Sequence, residues 1–313
     1  MNELAYIDVK AAGDQIASQV PPVVLTALDP GAVRTAPVDP LDDREPRDCQ
    51  VWLALEHGHT GSLTARGAMN FLATHHRLGT LPAAGIAIAS DDNAALACAW
   101  AAEQHDVPAT IFLPGSTPPA HAARLRAHGA DVRTVGAGYG DALTACRQFT
   151  TATGALTYDT DDDPLLAAGA GTVLDEIRAQ IPDLDTVVLA ADSGLLTGVA
   201  AAARHHGIRA VAVEPLNSRR SPQTPPASLT SVLVSDQELA IAHTTLQDRC
   251  GITVGHGCGA PLAALLNLEP PTRPEPAAAG RNRSTAARSY RPAAGEKVAV
   301  ILCCSARDAH GSA

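Results

Sequence analysis

Short runs of consecutive apolar residues alternate along this chain with longer stretches in which apolar positions recur every three or four residues. The short runs predict strands buried on both faces, and the longer stretches predict helices packed on a sheet. The runs lie at 51–56 (Val-Trp-Leu-Ala-Leu-Glu), 85–90, 109–114, 186–190, 208–213 and 298–302. Helical spacing appears at 4–20, where Leu4, Ile7, Ala11, Ile16 and Val20 recur, and helices are also read at 65–78, 93–105 and 195–206, with another ending at His128. Strands and helices in alternation imply an α/β protein with mostly parallel sheets. The units at 84–157 are expected to form a smaller lobe, and 1–83 with 158–313 a larger one. Asp- and Pro-rich residues 29–48 read as a surface loop, and the Pro-, Ala- and Arg-rich stretch 269–295 as a flexible excursion.

Composition narrows this picture. A length of 313 residues suffices for two cores. With 46% hydrophobic but only 3% aromatic residues, those cores must be built from Ala, Val, Leu and Ile. A net charge of −10 argues against nucleic-acid or anionic-membrane partners. No apolar run approaches the roughly 20 residues of a membrane span. The start, Met1-Asn2-Glu3-Leu4, lacks the basic and apolar regions of a signal peptide, so a cytoplasmic location is expected. The seven cysteines show no paired metal spacing, which predicts reduced, mostly buried thiols and no metal site.

One stretch carries more specific information. Thr60-Gly61-Ser62-Leu63-Thr64-Ala65-Arg66-Gly67-Ala68 follows the run at 51–56 and opens the helix at 65–78, so it reads as strand, turn and helix start. With Leu53-Ala54-Leu55-Glu56 before it, it resembles the lysine loop of fold type II enzymes that use pyridoxal phosphate (PLP), the threonine/serine dehydratases and tryptophan synthase beta-like proteins among them. In that family the pattern ends Gly-Ser-Phe-Lys-x-Arg-Gly-Ala, and the lysine forms a Schiff base with the cofactor. Other motifs match in order. Ser90-Asp91-Asp92-Asn93 stands for the family's Ser-x-Gly-Asn-His loop, which holds the substrate carboxylate. Residues 164–178 resemble its Gly-x-Gly-Thr…Glu-Ile helix, and Ala191-Asp192-Ser193-Gly194, ahead of Leu195 and Gly198, its glycine cup for the phosphate. Cys303 falls where the family places a Ser, Thr or Cys against the pyridine nitrogen. The resemblance runs from about residue 4 to 306 and implies two doubly wound lobes, a cleft between them, a small-molecule ligand or substrate, and a homodimer.

The departures from this family bear on chemistry. Thr64 occupies the lysine position, and a hydroxyl cannot form an imine. The chain has only two lysines, Lys10 in the N-terminal helical stretch and Lys297 at the start of the last strand. By resemblance Ser62 lies beside the substrate carboxylate, with Ser90, Asp91 and Asn93. Asp92 replaces a glycine there and either repels a bound carboxylate or caps the helix that begins at Asn93. In the cup, Ser193 and Gly194 are vestiges. Asp192 sets a like charge against a phosphate, a repulsion of about 4 kcal/mol at ~4 Å and an effective dielectric of 20. The reading that follows is that no cofactor is expected, with PLP possible but disfavoured. A cleft lined by His57, His59, Asp91 and the candidate catalytic groups Thr64, Asp92, Asp192 and His256 suits acid/base chemistry of lyase or cyclase type without PLP. The alternatives are an inactive relative that binds a ligand or regulates an active paralogue, and a protein that binds PLP without a covalent bond.

Overall fold

The structure, a computed structural model, describes residues 4–29, 49–56, 60–158, 163–191, 196–217, 228–254, 256–266 and 290–303, with the His256 side chain outside the description. The calls on 30–48, on His57 and His59, on Asp192, Ser193 and Gly194, and on most of 269–295 fall outside these residues.

Two sheets carry the fold. The larger has strand order β1-β2-β10-β7-β8-β9, from β1 (Val24–Leu28), β2 (Gln50–Glu56), β7 (Thr186–Ala190), β8 (Arg209–Pro215), β9 (Leu229–Val234) and β10 (Lys297–Cys303). Among the described residues of this sheet only the β1–β2 pair is antiparallel. The smaller sheet, order β5-β4-β3-β6, is all parallel and uses β3 (Ile86–Ala89), β4 (Ala109–Leu113), β5 (Asp131–Thr134) and β6 (Leu156–Thr157).

Alternation along the central strands sends side chains to two cores, one on each face of the sheet. Leu53, Leu55, Val211, Val213, Val298, Val300 and Leu302 join a core with α8 (Asp236–Cys250) and α9 (Ala260–Ala263). Ala54, Ala210, Ala212 and Ala299 face the opposite core, with α1 (Tyr6–Ile16), α2 (Thr64–Leu78), α6 (Pro164–Gln180) and α7 (Leu196–His206). On that side helices pack closely through glycines. A Cβ on Gly67 would sit 2.7 Å from the Leu166 carbonyl oxygen, and one on Gly171 would sit 2.6 Å from that of Gly198. A Cβ on Gly198 would overlap the Ala167 backbone outright. The same core runs on into the small sheet through α3 (Asn93–Gln104) and α4 (Pro119–Ala127), while α5 (Tyr139–Thr153) covers that sheet's other face.

Several expectations need correction. The helix placed over 4–20 ends at Ile16, and Val20 is buried after a turn rather than as a further helical repeat. Within the stretch read as an excursion, Tyr290 is buried and its hydroxyl donates to the buried Glu296, which also accepts from Thr186 Oγ1 at 2.6 Å. Cys49, Cys98, Cys146, Cys250 and Cys303 are in the reduced form as expected, but Cys258 is disulfide-bonded. No helix among the described residues is long and apolar enough to cross a membrane.

Candidate functional site

Parallel strands bring their C-terminal ends to one side of the sheet, where α/β proteins bind ligands. Register pairs Cys303 of β10 with Glu56 of β2 at that end, and Lys297 with Gln50 at the other. The turn after β2 bends at Gly61, whose φ of 71° suits glycine, and delivers Ser62 and Thr64 to the start of α2. Thr64 Oγ1 donates to Ser62 Oγ at 2.8 Å and lies 3.5 Å from the Asn93 carbonyl oxygen of α3. The Thr64 hydroxyl is therefore tied to its own loop and faces the neighbouring helix start.

Behind this loop, Arg66 is fully buried. Its guanidinium donates to Glu56 through Nε at 3.1 Å and Nη2 at 2.9 Å, and to Glu176 of α6 through Nη1 at 2.7 Å and Nη2 at 2.9 Å. Nη1 also reaches Thr172 Oγ1 at 3.2 Å. Burial works against the Arg66 charge, but the two carboxylates outweigh it and raise its pKa. Burial pushes the Glu56 carboxyl up, against the pull of Arg66. Glu176 accepts in addition from the Val23 amide at 2.8 Å, so one ion cluster fastens β2, α2, α6 and the entry to β1. The sequence marks Arg66 and the Glu-Ile pair as motif residues, but not that they meet.

On the small sheet, Ser90 follows β3. Its hydroxyl donates to Asp92 Oδ1 at 2.6 Å, and the Ala94 amide donates to the same oxygen at 2.8 Å. Asp92 is thus the N-cap of α3, and Asp91 beside it is exposed. Of the predicted site residues, the structure brings Ser62, Thr64 and Asn93 together across the two sheets, with Ser90 and Asp92 at the same helix start. Cys303 ends β10, half-buried, and His256 opens a 3-10 turn, His256–Gly259. Among the described residues no group of three or more His, Cys, Asp or Glu could hold a metal ion. Sequence reasoning missed Thr60, whose buried hydroxyl has no hydrogen-bond partner among the described residues.

The model of the family described as "Pyridoxal-phosphate dependent enzyme" matches residues 31–231, well over half the chain. The chain belongs to the pyridoxal-phosphate dependent enzyme family. Similar curated proteins include an L-threonine ammonia-lyase of Geobacter sulfurreducens, 31% identical over 243 residues, which are 66% of this chain and 60% of that protein. A second L-threonine ammonia-lyase, of Thermotoga maritima, is 34% identical over 155 residues, 49% of this chain and 38% of the relative. The chain thus covers less than two thirds of either relative. Solved structures with this fold include a pyridoxal 5'-phosphate-dependent aspartate racemase (TM-score 0.77, 20% identity, covering 97% of this chain and 96% of that one). Another is maize serine racemase (TM-score 0.76, 17% identity, 97% and 94%).

Membership in the family overturns the expectation of no cofactor: pyridoxal phosphate is the cofactor to expect here. That expectation gave too much weight to the departures read from the resemblance at Thr64, Asp92 and Asp192. Cofactor binding rests on many contacts of the whole fold, whereas the lysine supplies one covalent bond. For that bond the residues present do not fit. Thr64, which the sequence resemblance sets at the lysine position, carries a hydroxyl and no amine. Lys10 is exposed on the outer side of α1 and pairs with Asp14 at 3.2 Å. Lys297 pairs with Asp183 at 3.4 Å, six residues of strand from Cys303, roughly 20 Å at 3.3 Å per residue.

Proposed function

We propose that this chain is a family member that takes pyridoxal phosphate without a covalent bond to either of its lysines. It binds a small amine-bearing ligand at the C-terminal ends of its two sheets. One observation carries the reading: Thr64, at the lysine position, spends its hydroxyl on Ser62, while both lysines are engaged elsewhere. Family membership supports the cofactor, and the names of the ammonia-lyase relatives support a small amine-bearing ligand. Asp92, a candidate acid/base group by sequence, serves in this reading as the cap of α3, and any amine at the site is the ligand's own.

The test titrates the purified protein with pyridoxal phosphate, following the melting temperature, then reduces the mixture with borohydride and weighs the intact chain. The reading predicts a saturable rise in melting temperature and no mass adduct. No rise, or a stoichiometric adduct on Lys10 or Lys297, would refute it.

A further inference from the structure

We propose that Met69, His76 and His105 form a binding site for a soft monovalent metal ion of the copper(I) class, where α2 passes the C-terminal end of α3. The site is separate from the pyridoxal phosphate reading and does not depend on it. Met69 and His76 are seven residues apart on α2, close to two helical turns, so both lie on one side of that helix. α3 ends against this side. His105 is its C-cap, and the chain then turns through Asp106, whose φ of 52° lies in the left-handed region. Two hydrogen bonds close the turn. The Asp106 amide donates to the Glu103 carbonyl at 3.3 Å, and the Val107 amide donates to the Ala102 carbonyl at 2.9 Å, the pairing that ends a helix on a left-handed residue. Val107 packs against the core, so the place from which the His105 side chain departs is fixed.

That side chain lies over α2. His105 Nε2 is 3.2 Å from Met69 Sδ, and the His105 ring centre is 5.8 Å from that of His76. Metal–ligand distances of about 2.0–2.1 Å to nitrogen and about 2.3 Å to sulphur span such an Nε2–Sδ pair, and they set two imidazoles on one ion with ring centres about 5–6 Å apart. The donors narrow the ion. A thioether is a polarisable donor that selects copper(I) over hard cations. All three groups bind in their neutral forms and leave a divalent charge uncompensated, which favours a monovalent ion. Met69 is fully buried, His105 half-buried and His76 exposed, so the sulphur lies at the closed end and the outer imidazole marks the way in. His75 is not part of the set: its Nδ1 is 2.7 Å from Thr80 Oγ1, and its ring tilts against Phe71.

The chain has two methionines, Met1 and Met69, so methionine labelled with carbon-13 at its methyl gives at most two signals. Met69→Leu, a volume-conserving change, assigns one of them. The full chain is treated with N-ethylmaleimide to block accessible thiols and titrated with silver nitrate, silver(I) serving as an oxidation-stable probe for the copper(I) class. The Met69 methyl should shift and saturate at one equivalent, while zinc(II) at the same concentration leaves it in place. His105→Gln and His76→Gln should each weaken silver binding, read on the Met69 methyl, by roughly tenfold or more, since even the loss of a group that only supports a metal ligand has that effect. His76 is exposed, so its variant keeps the fold and the test stands even where His105→Gln does not fold. A Met69 signal that silver(I) does not move, one that zinc(II) moves equally, or one whose affinity for silver(I) is unchanged in either histidine variant would overturn the inference.

Discussion

Replacing Arg66 by methionine tests whether the buried ion cluster fastens the loop that carries Ser62 and Thr64. The guanidinium is fully buried, and Glu56, its partner through three donor contacts, is 6% exposed. Glu176 is different: its side chain is 30% exposed and it keeps the Val23 amide, so it can turn toward water. Almost the whole cost therefore falls on Glu56, left buried without its counter-charge. Removing one partner of such a pair costs about 3–5 kcal/mol at neutral pH. The sign with pH is fixed by linkage. Burial already raises the Glu56 carboxyl above 4.5, and without Arg66 nothing opposes the rise. Above pH 4.5 the folded variant then holds a proton that the unfolded chain releases, so its stability falls as pH increases. Urea denaturation of wild type and Arg66→Met at pH 7 and pH 5 should show a deficit that is largest at pH 7 and smaller at pH 5. Adding Glu56→Gln to the variant should recover part of it. A deficit below about 1 kcal/mol at pH 7, the worth of an ordinary exposed pair, or one equal at both pH values, would refute the reasoning.

Two further predictions concern packing and pH. Gly198→Ala places a Cβ on the Ala167 backbone and must part α6 from α7, so denaturation should show a loss of about 1–3 kcal/mol or more. His105 at the end of α3 lies 3.2 Å from Met69 Sδ, and burial, then His76, lowers its pKa below 6.5. The unfolded chain thus binds that proton more readily. The melting temperature should fall as pH drops from 6.5 toward the lowered value, and His105→Gln should flatten that slope.

Much of the fold was legible because its central strands are short, continuous apolar runs between helices with an apolar stripe. The strand at 186–190 needs no adjustment, and β2, β3, β4 and β10 shift by at most a residue at an end. What escaped notice lacks that signal. β1 is an edge strand in which only Leu28 is buried, and Pro21-Pro22 just before it reads as loop. α5 buries only Ala142 and Cys146 among small and polar residues, too few for a stripe. The site was legible in its motifs but not in its pairings. Arg66 and Glu176 meet across 110 positions, and Thr186 of β7 meets Glu296, which also accepts from Tyr290, across another 110. Sequence spacing cannot show such meetings. It left Asp92 open between a cap and a catalytic acid, and the distances to Ser90 and Ala94 supply the cap.

The most direct test of the central claim restores the amine. Thr64→Lys and wild type are each incubated with pyridoxal phosphate, reduced with borohydride, digested and analysed by mass spectrometry. The account predicts one cofactor adduct per chain at position 64 in the variant and none in wild type. A wild-type adduct on Lys10 or Lys297, or a variant that remains unmodified at position 64, would contradict it.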